Sequence, residues 1–195
     1  MKVVIIDYGA GNVKSVQFAF KRLGVDAILS NVIADIQTAD RVVFPGVGEA
    51  SSAMQMLKKN DLHHYIPTLK QPVLGICLGM QLLCKHTEEG NIEGLGIFDT
   101  KIKRFSNTLK VPQIGWNKIK ALKSDLFSDI SENTYMYLVH SYYAERCSQS
   151  IATTHYGFDY ASALHNNNFY GVQFHPEKSS VLGEQVLRNF LEIKA

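Results

Sequence analysis

Two short stretches of this 195-residue chain combine residue types that could carry out nucleophilic catalysis. The first is Gly75-Ile76-Cys77-Leu78-Gly79, a cysteine with a glycine two residues away on either side. Small neighbours permit the sharp strand-to-helix turn of a nucleophile elbow, where a helix N-terminus favours the thiolate and backbone N–H groups can bind an oxyanion. The stretch predicts a reactive Cys77, with a small buried structural cysteine as the alternative.

The second stretch is His175-Pro176-Glu177, which follows an apolar run at residues 169–174. In an extended segment side chains i and i+2 point the same way, so Glu177 could accept from one ring nitrogen of His175 and turn the other towards a thiol. Taken alone, the stretch is better interpreted as a surface turn with a solvated acid, and its weight as a catalytic element comes from its pairing with Cys77. Open α/β sheets gather functional groups at the carboxyl ends of their strands, so we expect Cys77, His175 and Glu177 to form a catalytic triad.

The elements that must position these groups are predicted from hydrophobic periodicity. In the first half, short apolar runs alternate with helical patterns, which predicts βα units and an α/β fold with an open, mainly parallel, flavodoxin-like sheet covered by helices on both faces. The predicted strands are 3–6, 25–29, 41–44 and 73–76, and the predicted helices are 13–23, 50–57 and 78–84.

After Gly90 the pattern changes to short apolar or alternating runs, which predict β-strands, some of them in hairpins, and so add antiparallel strands in the C-terminal half. These strands are 100–105, 118–121, 134–139, 151–156, 161–164 and 169–174, and a terminal helix carries Val181, Val186, Leu187, Phe190 and Leu191 on one side. The sequence has no internal repeat and no linker rich in Pro, Gly and Ser, so we expect a single domain over 1–195.

Composition restricts the partners and the compartment. Charged residues make up 19% and the formal net charge is +2, so we expect no nucleic acid partner. The three cysteines form no C-x-x-C pair, which suits a reducing compartment. The opening apolar run, 3–6, is far shorter than a membrane span or signal core, so we expect a cytoplasmic protein without a membrane partner.

His63 and His64 are adjacent and expected to diverge, so we assign no metal and no cofactor.

Two glycine-containing loops follow predicted strands. Gly46, Val47 and Gly48 follow the third strand and could supply a second oxyanion donor, with an ordinary strand-to-helix turn as the alternative. The loop 9–12 lacks the third glycine of a dinucleotide-binding fingerprint, where the chain has Lys14, and is interpreted as a connecting or interface loop.

The stretches 75–81 and 174–177 together resemble the class I glutamine amidotransferases, and their spacing and the βα order match across essentially the whole chain. Within that family, the loop 45–48, Gly-Trp-Asn at 115–117 and the segments 139–142 and 174–179 resemble the glutaminase subunits of imidazole glycerol phosphate synthase. At Gln113 the chain has a glutamine where those subunits commonly have a histidine.

The resemblance implies that Cys77 attacks the side-chain amide of glutamine, that His175 transfers the proton and that Glu177 orients His175. It also implies transfer of the ammonia to a (β/α)8 cyclase subunit. The remaining implied site residues are Gly46, Val47, Gly48 and Leu78 at the oxyanion, Gln81, His140, Ser141 and Tyr142 at the glutamine, and Asn12, Trp116 and Lys178 at the partner interface.

Several alternatives remain open from the sequence. A paralogous glutaminase could feed another synthase, for instance one that makes an aminated surface sugar. A flavodoxin-like scaffold with an inert thiol, or a cysteine peptidase or esterase, would also fit the elements. Trp116 could be a core residue, His140 a hydrogen-bonded strand histidine and Lys178 a solvated lysine.

Overall fold

The fold is that of a computed structural model, which describes residues 1–9 and 12–194. Residues 10 and 11 of the predicted interface loop lie outside the described residues. The strands are β1 (Val3–Ile6), β2 (Ile28–Ser30), β3 (Arg41–Gly46), β4 (Val73–Cys77), β5 (Cys84–Thr87), β6 (Ile92–Glu93), β7 (Phe98–Arg104), β8 (Gln113–Ile119), β9 (Thr134–His140), β10 (Tyr142–Ala144), β11 (Ser150–Tyr156), β12 (Phe158–Asn166) and β13 (Phe169–Val172). The helices are α1 (Val13–Arg22), α2 (Ile33–Gln37), α3 (Ala50–Lys59), α4 (Leu62–Tyr65), α5 (Leu78–Leu83) and α6 (Ser180–Glu192).

Five strands form a parallel sheet in the order β2-β1-β3-β4-β13. This is the strand order of a flavodoxin-like doubly wound sheet, with β13 in the fifth place, and it confirms the predicted fold class. In the sheet register Gly46 lies opposite Cys77, and Val172 lies opposite Ile76. The carboxyl ends of β3, β4 and β13 therefore meet at one edge, where β13 leads towards His175.

The sheet continues past β13 with strands from the C-terminal half. β12 is antiparallel to both β13 and β10, β10 is antiparallel to β7, and β11 is antiparallel to β12 from Phe158 to Leu164. β8 and β9 form a separate two-stranded antiparallel sheet. These strands confirm the predicted antiparallel additions.

Two apolar cores cover the two faces of the parallel sheet. Ile5 of β1 belongs to the core that contains Phe20 of α1 and Phe190 of α6, whereas its neighbour Ile6 belongs to the core that contains Leu57 of α3. Successive side chains of a strand point to opposite faces, so a strand buried on both faces must be apolar throughout. Burial of each such side chain stabilises the fold by roughly 1.5–3 kcal/mol.

Some predicted boundaries were wrong. The strand predicted at 118–121 is the end of β8, and Ala121 adopts a turn conformation with φ 57°. Exposed Ile114 and Trp116 lie on the outer face of β8, so burial does not follow hydrophobicity there. The strand predicted at 25–29 begins at Ile28, because the N–H of Val25 still donates to Phe20 and closes the helix.

Among the described residues, no helix combines the length and apolar character needed to cross a membrane.

Candidate active site

Cys77 occupies a sharp turn between β4 and α5. Its φ of 54° and ψ of −110° are unusual for a residue with a side chain, a strain of about 1–3 kcal/mol that the surrounding packing must offset. A Cβ on Gly79 would lie 1.8 Å from the carbonyl oxygen of Phe44, and one on Gly75 would lie 2.8 Å from Leu83 Cδ1. Gly79 therefore allows α5 to lie against β3, and Gly75 allows it to lie against β4, as the elbow requires.

The backbone of His175 is fixed to β9, and its side chain pairs with Glu177. His175 Nδ1 lies 2.8 Å from Glu177 Oε1, and both side chains are 2% exposed. The N–H of His175 donates to the carbonyl of Tyr137, while the hydroxyl of Ser179 donates to the carbonyl of His175 and accepts from the N–H of Tyr137. The segment is not extended as predicted, since Pro176–Lys178 forms a 3-10 turn, yet the expected contact between His175 and Glu177 is made.

The electrostatics of His175 favour a protonated ring. Burial by itself lowers the pKa of His175, but the neighbouring Cys77 thiol and the Glu177 carboxylate outweigh it and raise the pKa to about 10. Nε2 is buried and has no hydrogen-bond partner of ordinary geometry among the described residues. The Cys77 thiol therefore raises the pKa of the His175 ring without a hydrogen bond of ordinary geometry. The distance between such catalytic groups commonly shortens when substrate binds.

A cavity of about 290 Å³, here called the thiol cavity, opens over this pair. Its size is near the lower end of the usual range for ligand pockets, roughly 300–1,000 Å³, and suits a ligand as small as an amino acid. It is lined by Val47, Gly48, Cys77, Leu78, Gln81, Glu89, Pro112, Val139, His140, Ser141, Tyr142 and His175. The structure thus brings together the expected triad thiol and imidazole and the expected glutamine-binding residues. Gly46 does not line the cavity but pairs with Cys77 in the sheet.

Glu89 is a lining residue that sequence reasoning missed. Its carboxylate accepts from the N–H of Ala50 at 3.0 Å, and its own N–H donates to Thr87 Oγ1 at 3.1 Å. Burial, partly opposed by the Ala50 hydrogen bond, raises the pKa of Glu89. A half-buried carboxylate whose pKa is raised in this way is stabilised in its charged form by a cationic ligand. No motif marked Glu89, because it reaches the cavity only through the turn that follows β5.

His140 belongs to a buried polar chain that continues to Gln113. His140 Nδ1 lies 2.7 Å from the Tyr142 carbonyl, Nε2 lies 3.1 Å from the Tyr160 hydroxyl, and that hydroxyl lies 3.0 Å from the Gln113 side-chain amide. Burial lowers the pKa of His140 to about 4, so the ring is neutral at pH 7. Since a carbonyl only accepts, Nδ1 carries the proton and Nε2 is an acceptor. The Tyr160 hydroxyl lies between Nε2 of His140 and Oε1 of Gln113 and can donate to either of them.

The three expected interface residues lie around the site. Trp116 is 52% exposed, which excludes the alternative of a core tryptophan. Its ring lies 6.1 Å from that of Tyr137, whose backbone fixes His175. Lys178 is exposed on the 3-10 turn after His175, and half-buried Asn12 precedes α1, which packs against that turn.

The histidine pair outside the site does not diverge as predicted. The rings of His63 and His64 lie 3.9 Å apart, and with Asp61 they place possible ligand atoms within 4.8 Å of one another. Asp61 and His64 are exposed, and exposed groups of this kind commonly lie together without an ion. We therefore assign no ion to this group.

Comparison with known proteins places the chain in a family. The model of the family "Glutamine amidotransferase class-I" matches residues 4–193. Imidazole glycerol phosphate synthase subunit HisH of Bacteroides fragilis is 51% identical over 99% of this chain and 100% of its own length. The subunit of the same name from Pectobacterium atrosepticum is 46% identical over the same shares.

A solved structure agrees in fold. The structure of a candidate GMP synthase subunit of Thermoplasma acidophilum superposes with a TM-score of 0.77 at 20% identity, covering 98% of this chain and 92% of that one. This likeness shows the fold alone, whereas the family match and the full-length relatives show membership. The chain belongs to the class I glutamine amidotransferase family, in the group formed with the imidazole glycerol phosphate synthase HisH subunits.

Proposed function

We propose that this chain is the glutaminase subunit of imidazole glycerol phosphate synthase, which hydrolyses glutamine and passes the ammonia to a cyclase subunit in histidine biosynthesis. The observation that carries the proposal is the placement of Cys77 and His175 together in the thiol cavity, with Glu177 bound to the far ring nitrogen. Its full-length likeness to HisH subunits selects this member of the family.

The chemistry follows from the Cys77–His175 pair. Sγ of Cys77 attacks the side-chain amide carbon of glutamine, so that a C–S bond forms and the carbonyl oxygen becomes an oxyanion. His175 holds the thiol proton at Nε2 and gives it to the amide nitrogen as the C–N bond breaks and ammonia leaves. A water molecule, deprotonated by the same nitrogen, then hydrolyses the thioester and releases glutamate.

The oxyanion requires donors at the strand ends. The N–H of Leu78 at the start of α5 is one candidate, and the loop Gly46, Val47 and Gly48 at the end of β3 is the other. Val47, Gly48 and Leu78 line the thiol cavity, and Gly48 has a φ of 99°, which a residue with a side chain rarely adopts. Donors fixed in advance at such a site are typically worth about 10²–10³-fold in rate each.

The amino-acid end of glutamine would lie on the opposite wall of the thiol cavity. Glu89 supplies the negative charge that an α-ammonium group needs, and Gln81 adds an amide. Ser141 and Tyr142, with His140 fixed behind them, contribute backbone groups that suit the α-carboxylate. This assignment would make the enzyme specific for a free amino acid rather than for a peptide.

An exposed apolar face next to the cavity supports a protein partner. Ile114 is 63% exposed, Trp116 52% and Tyr135 53%, all on the sheet of β8 and β9. In that sheet Ile114 lies opposite Val139, which lines the thiol cavity. A (β/α)8 cyclase seated on this face, with Asn12 and Lys178 at its border, would receive ammonia without its release to solvent, giving a heterodimer with lyase activity.

We further propose that the chain is one domain and acts in the cytoplasm. The three cysteines are free thiols, and the nucleophile must remain reduced to act.

The test is glutamate release from glutamine by this chain alone and with a cognate cyclase and its nucleotide substrate. Strong stimulation by the loaded cyclase, absent from Cys77→Ala, is the expected result. Activity without stimulation would leave a glutaminase with a different partner. No glutamate under either condition would contradict the proposal.

A further inference from the structure

A buried glutamine that the proposed mechanism does not use contacts the nucleophile. Gln173 follows β13 and is 0% exposed. Its Nε2 lies 3.6 Å from Sγ of Cys77, and its Oε1 lies 2.8 Å from Nε2 of Gln81. The backbone N–H of Gln173 donates to the carbonyl of Ser162, which fixes its main chain to β12. Gln173 therefore joins the thiol to Gln81, a residue of the thiol cavity wall.

The orientation of both amides is determined by one backbone carbonyl. Gln81 lies 3.1 Å from the carbonyl oxygen of Tyr142, and an oxygen there can only accept, so Gln81 must present Nε2. The same nitrogen faces Gln173, which must therefore present its oxygen. The remaining amide group of Gln173, an N–H donor, is left facing Cys77. The Oε1 of Gln81 is left without a partner in this chain of contacts and is free for a ligand in the cavity.

Apart from His175, whose proton is transferred during the reaction, the groups around the sulfur leave this donor role to Gln173. The carbonyl of Val139, 4.0 Å away on β9, can only accept from the thiol. His175 carries the exchangeable proton, with Glu177 behind it. Tyr8, after β1, is neutral because burial, reinforced by Cys77, raises its pKa, and its hydroxyl donates to Pro45 at 3.0 Å.

We propose that Gln173 is a positioning residue that donates an amide N–H to the Cys77 sulfur and stabilises the thiolate, and that Gln81 and Tyr142 hold it in the donating orientation. The inference deepens the proposed function, since it concerns the same nucleophile. It also links substrate binding to the thiol, because a ligand on Oε1 of Gln81 immobilises the amide that orients Gln173.

The test is the rate at which iodoacetamide alkylates Cys77 across the titration of the thiol, followed by mass spectrometry of the Cys77 peptide. Gln173→Met removes the donor while keeping the length of the side chain. We expect the midpoint of the rate–pH profile to move up by about one pH unit, which is a roughly tenfold slower reaction below both midpoints. Gln173→Glu keeps the acceptor towards Gln81 and, when ionised, replaces the donor by a negative charge, so in that form it should move the midpoint at least as far.

Gln185→Met is the matched control, because the half-buried Gln185 amide on α6 donates to Asn189. It should leave the profile unchanged. Gln81→Met frees the Gln173 amide to rotate, so it should shift the midpoint in the same direction but less far. It replaces Gln173→Met as the test variant if circular dichroism shows that Gln173→Met is not folded. An unchanged midpoint in the folded variants, or an equal shift in Gln185→Met, would overturn the inference.

Alkylation needs neither glutamine nor a cyclase. If the profile shifts but the wild-type chain releases no glutamate, the proposed function fails and the role of Gln173 stands. If the wild-type chain releases glutamate but the rate–pH profile does not shift in the variants, the role of Gln173 fails and the proposed function stands.

Discussion

Each member of the proposed triad is fixed by a different kind of contact. Cys77 is fixed by a strained backbone, His175 by backbone hydrogen bonds to β9, and Glu177 by burial on a 3-10 turn. The imidazole ring itself is oriented by its contact with Glu177. Its basicity depends on the two groups beside it, so a change of either group acts on the chemistry without a large change in packing.

Glu177→Gln is expected to leave the fold intact and to reduce kcat/KM for glutamine by about 10²–10⁴-fold in the cyclase complex. A neutral amide can still contact Nδ1 of His175, but it neither stabilises the imidazolium nor enforces the required tautomer. Glu184→Gln, which alters a carboxylate paired with Arg22 on the surface, is the control and should retain activity. Steady-state kinetics decide, and a loss smaller than tenfold in Glu177→Gln would argue against the triad.

His140 should make the protein sensitive to acid. Its pKa is about 4 in the folded state against 6.5 ordinarily, so between these values the unfolded chain binds a proton that the folded chain refuses. Stability is therefore lost as pH falls from 6.5 to 4, by about 3 kcal/mol in total, and is unaffected by this group above 6.5. Urea unfolding at neutral and acid pH should show a smaller acid loss in His140→Gln. Equal losses in the two proteins would contradict the assignment.

At the scale of elements, the junction of β4 and α5 depends on close approach to β3. The turn at Cys77 works only because the first turn of α5 lies against the backbone of β3 at Phe44. Helix and strand are therefore coupled directly through main-chain atoms, with no side chain between them to give way.

Gly79→Ala is expected to destabilise the protein by about 3 kcal/mol or more and to displace the nucleophile. The new Cβ would lie 1.8 Å from the Phe44 carbonyl oxygen, so α5 must move away from β3. Gly24→Ala is the comparison, since it meets no atom within 4 Å and carries only the strain of a φ of 79°. It should cost about 1 kcal/mol. Thermal and urea unfolding measure both, and equal losses would show that strain, not contact with β3, sets the cost.

At the scale of the whole molecule, the parallel sheet and the β8–β9 sheet have different tasks. The parallel sheet brings the strand ends together below the thiol cavity, whereas β9 lines one part of the cavity and, with β8, presents apolar side chains outward. Because Val139 and Tyr137 of β9 contact the cavity or the His175 backbone, a partner on the outer face would act on the site through β9.

Trp116→Ala is expected to weaken cyclase binding by about 2 kcal/mol, roughly 30-fold in Kd, since a large exposed aromatic side chain is typical of an interface hot spot. Val32→Ala removes another exposed apolar side chain, 55% exposed and located before α2, and should leave binding unchanged. Titration of the cyclase by calorimetry gives both constants. An unchanged Kd for Trp116→Ala would remove the β8–β9 face from the proposed interface.

The sequence by itself determined the features that depend on local order. Alternating strand and helix patterns predicted the α/β fold and its parallel sheet, and the two glycines around Cys77 predicted the elbow. Both features can be predicted because the spacing of apolar residues and the conformational freedom of glycine depend only on residues close together in the chain. The strand predicted at 118–121 was misplaced because Ile114 and Trp116, the apolar residues near the start of β8, are exposed and do not follow the pattern of a buried strand.

Only the tertiary structure decided which distant polar groups meet. Glu89 reaches the thiol cavity from the turn after β5, and Gln173 faces Cys77 because β13 lies beside β4. Ser179 connects His175 to β9, and Gln113 closes the chain that starts at His140. The contact between Ser179 and His175 is local, but the others join residues far apart in sequence, because they form only when distant strands and turns come together in the folded chain.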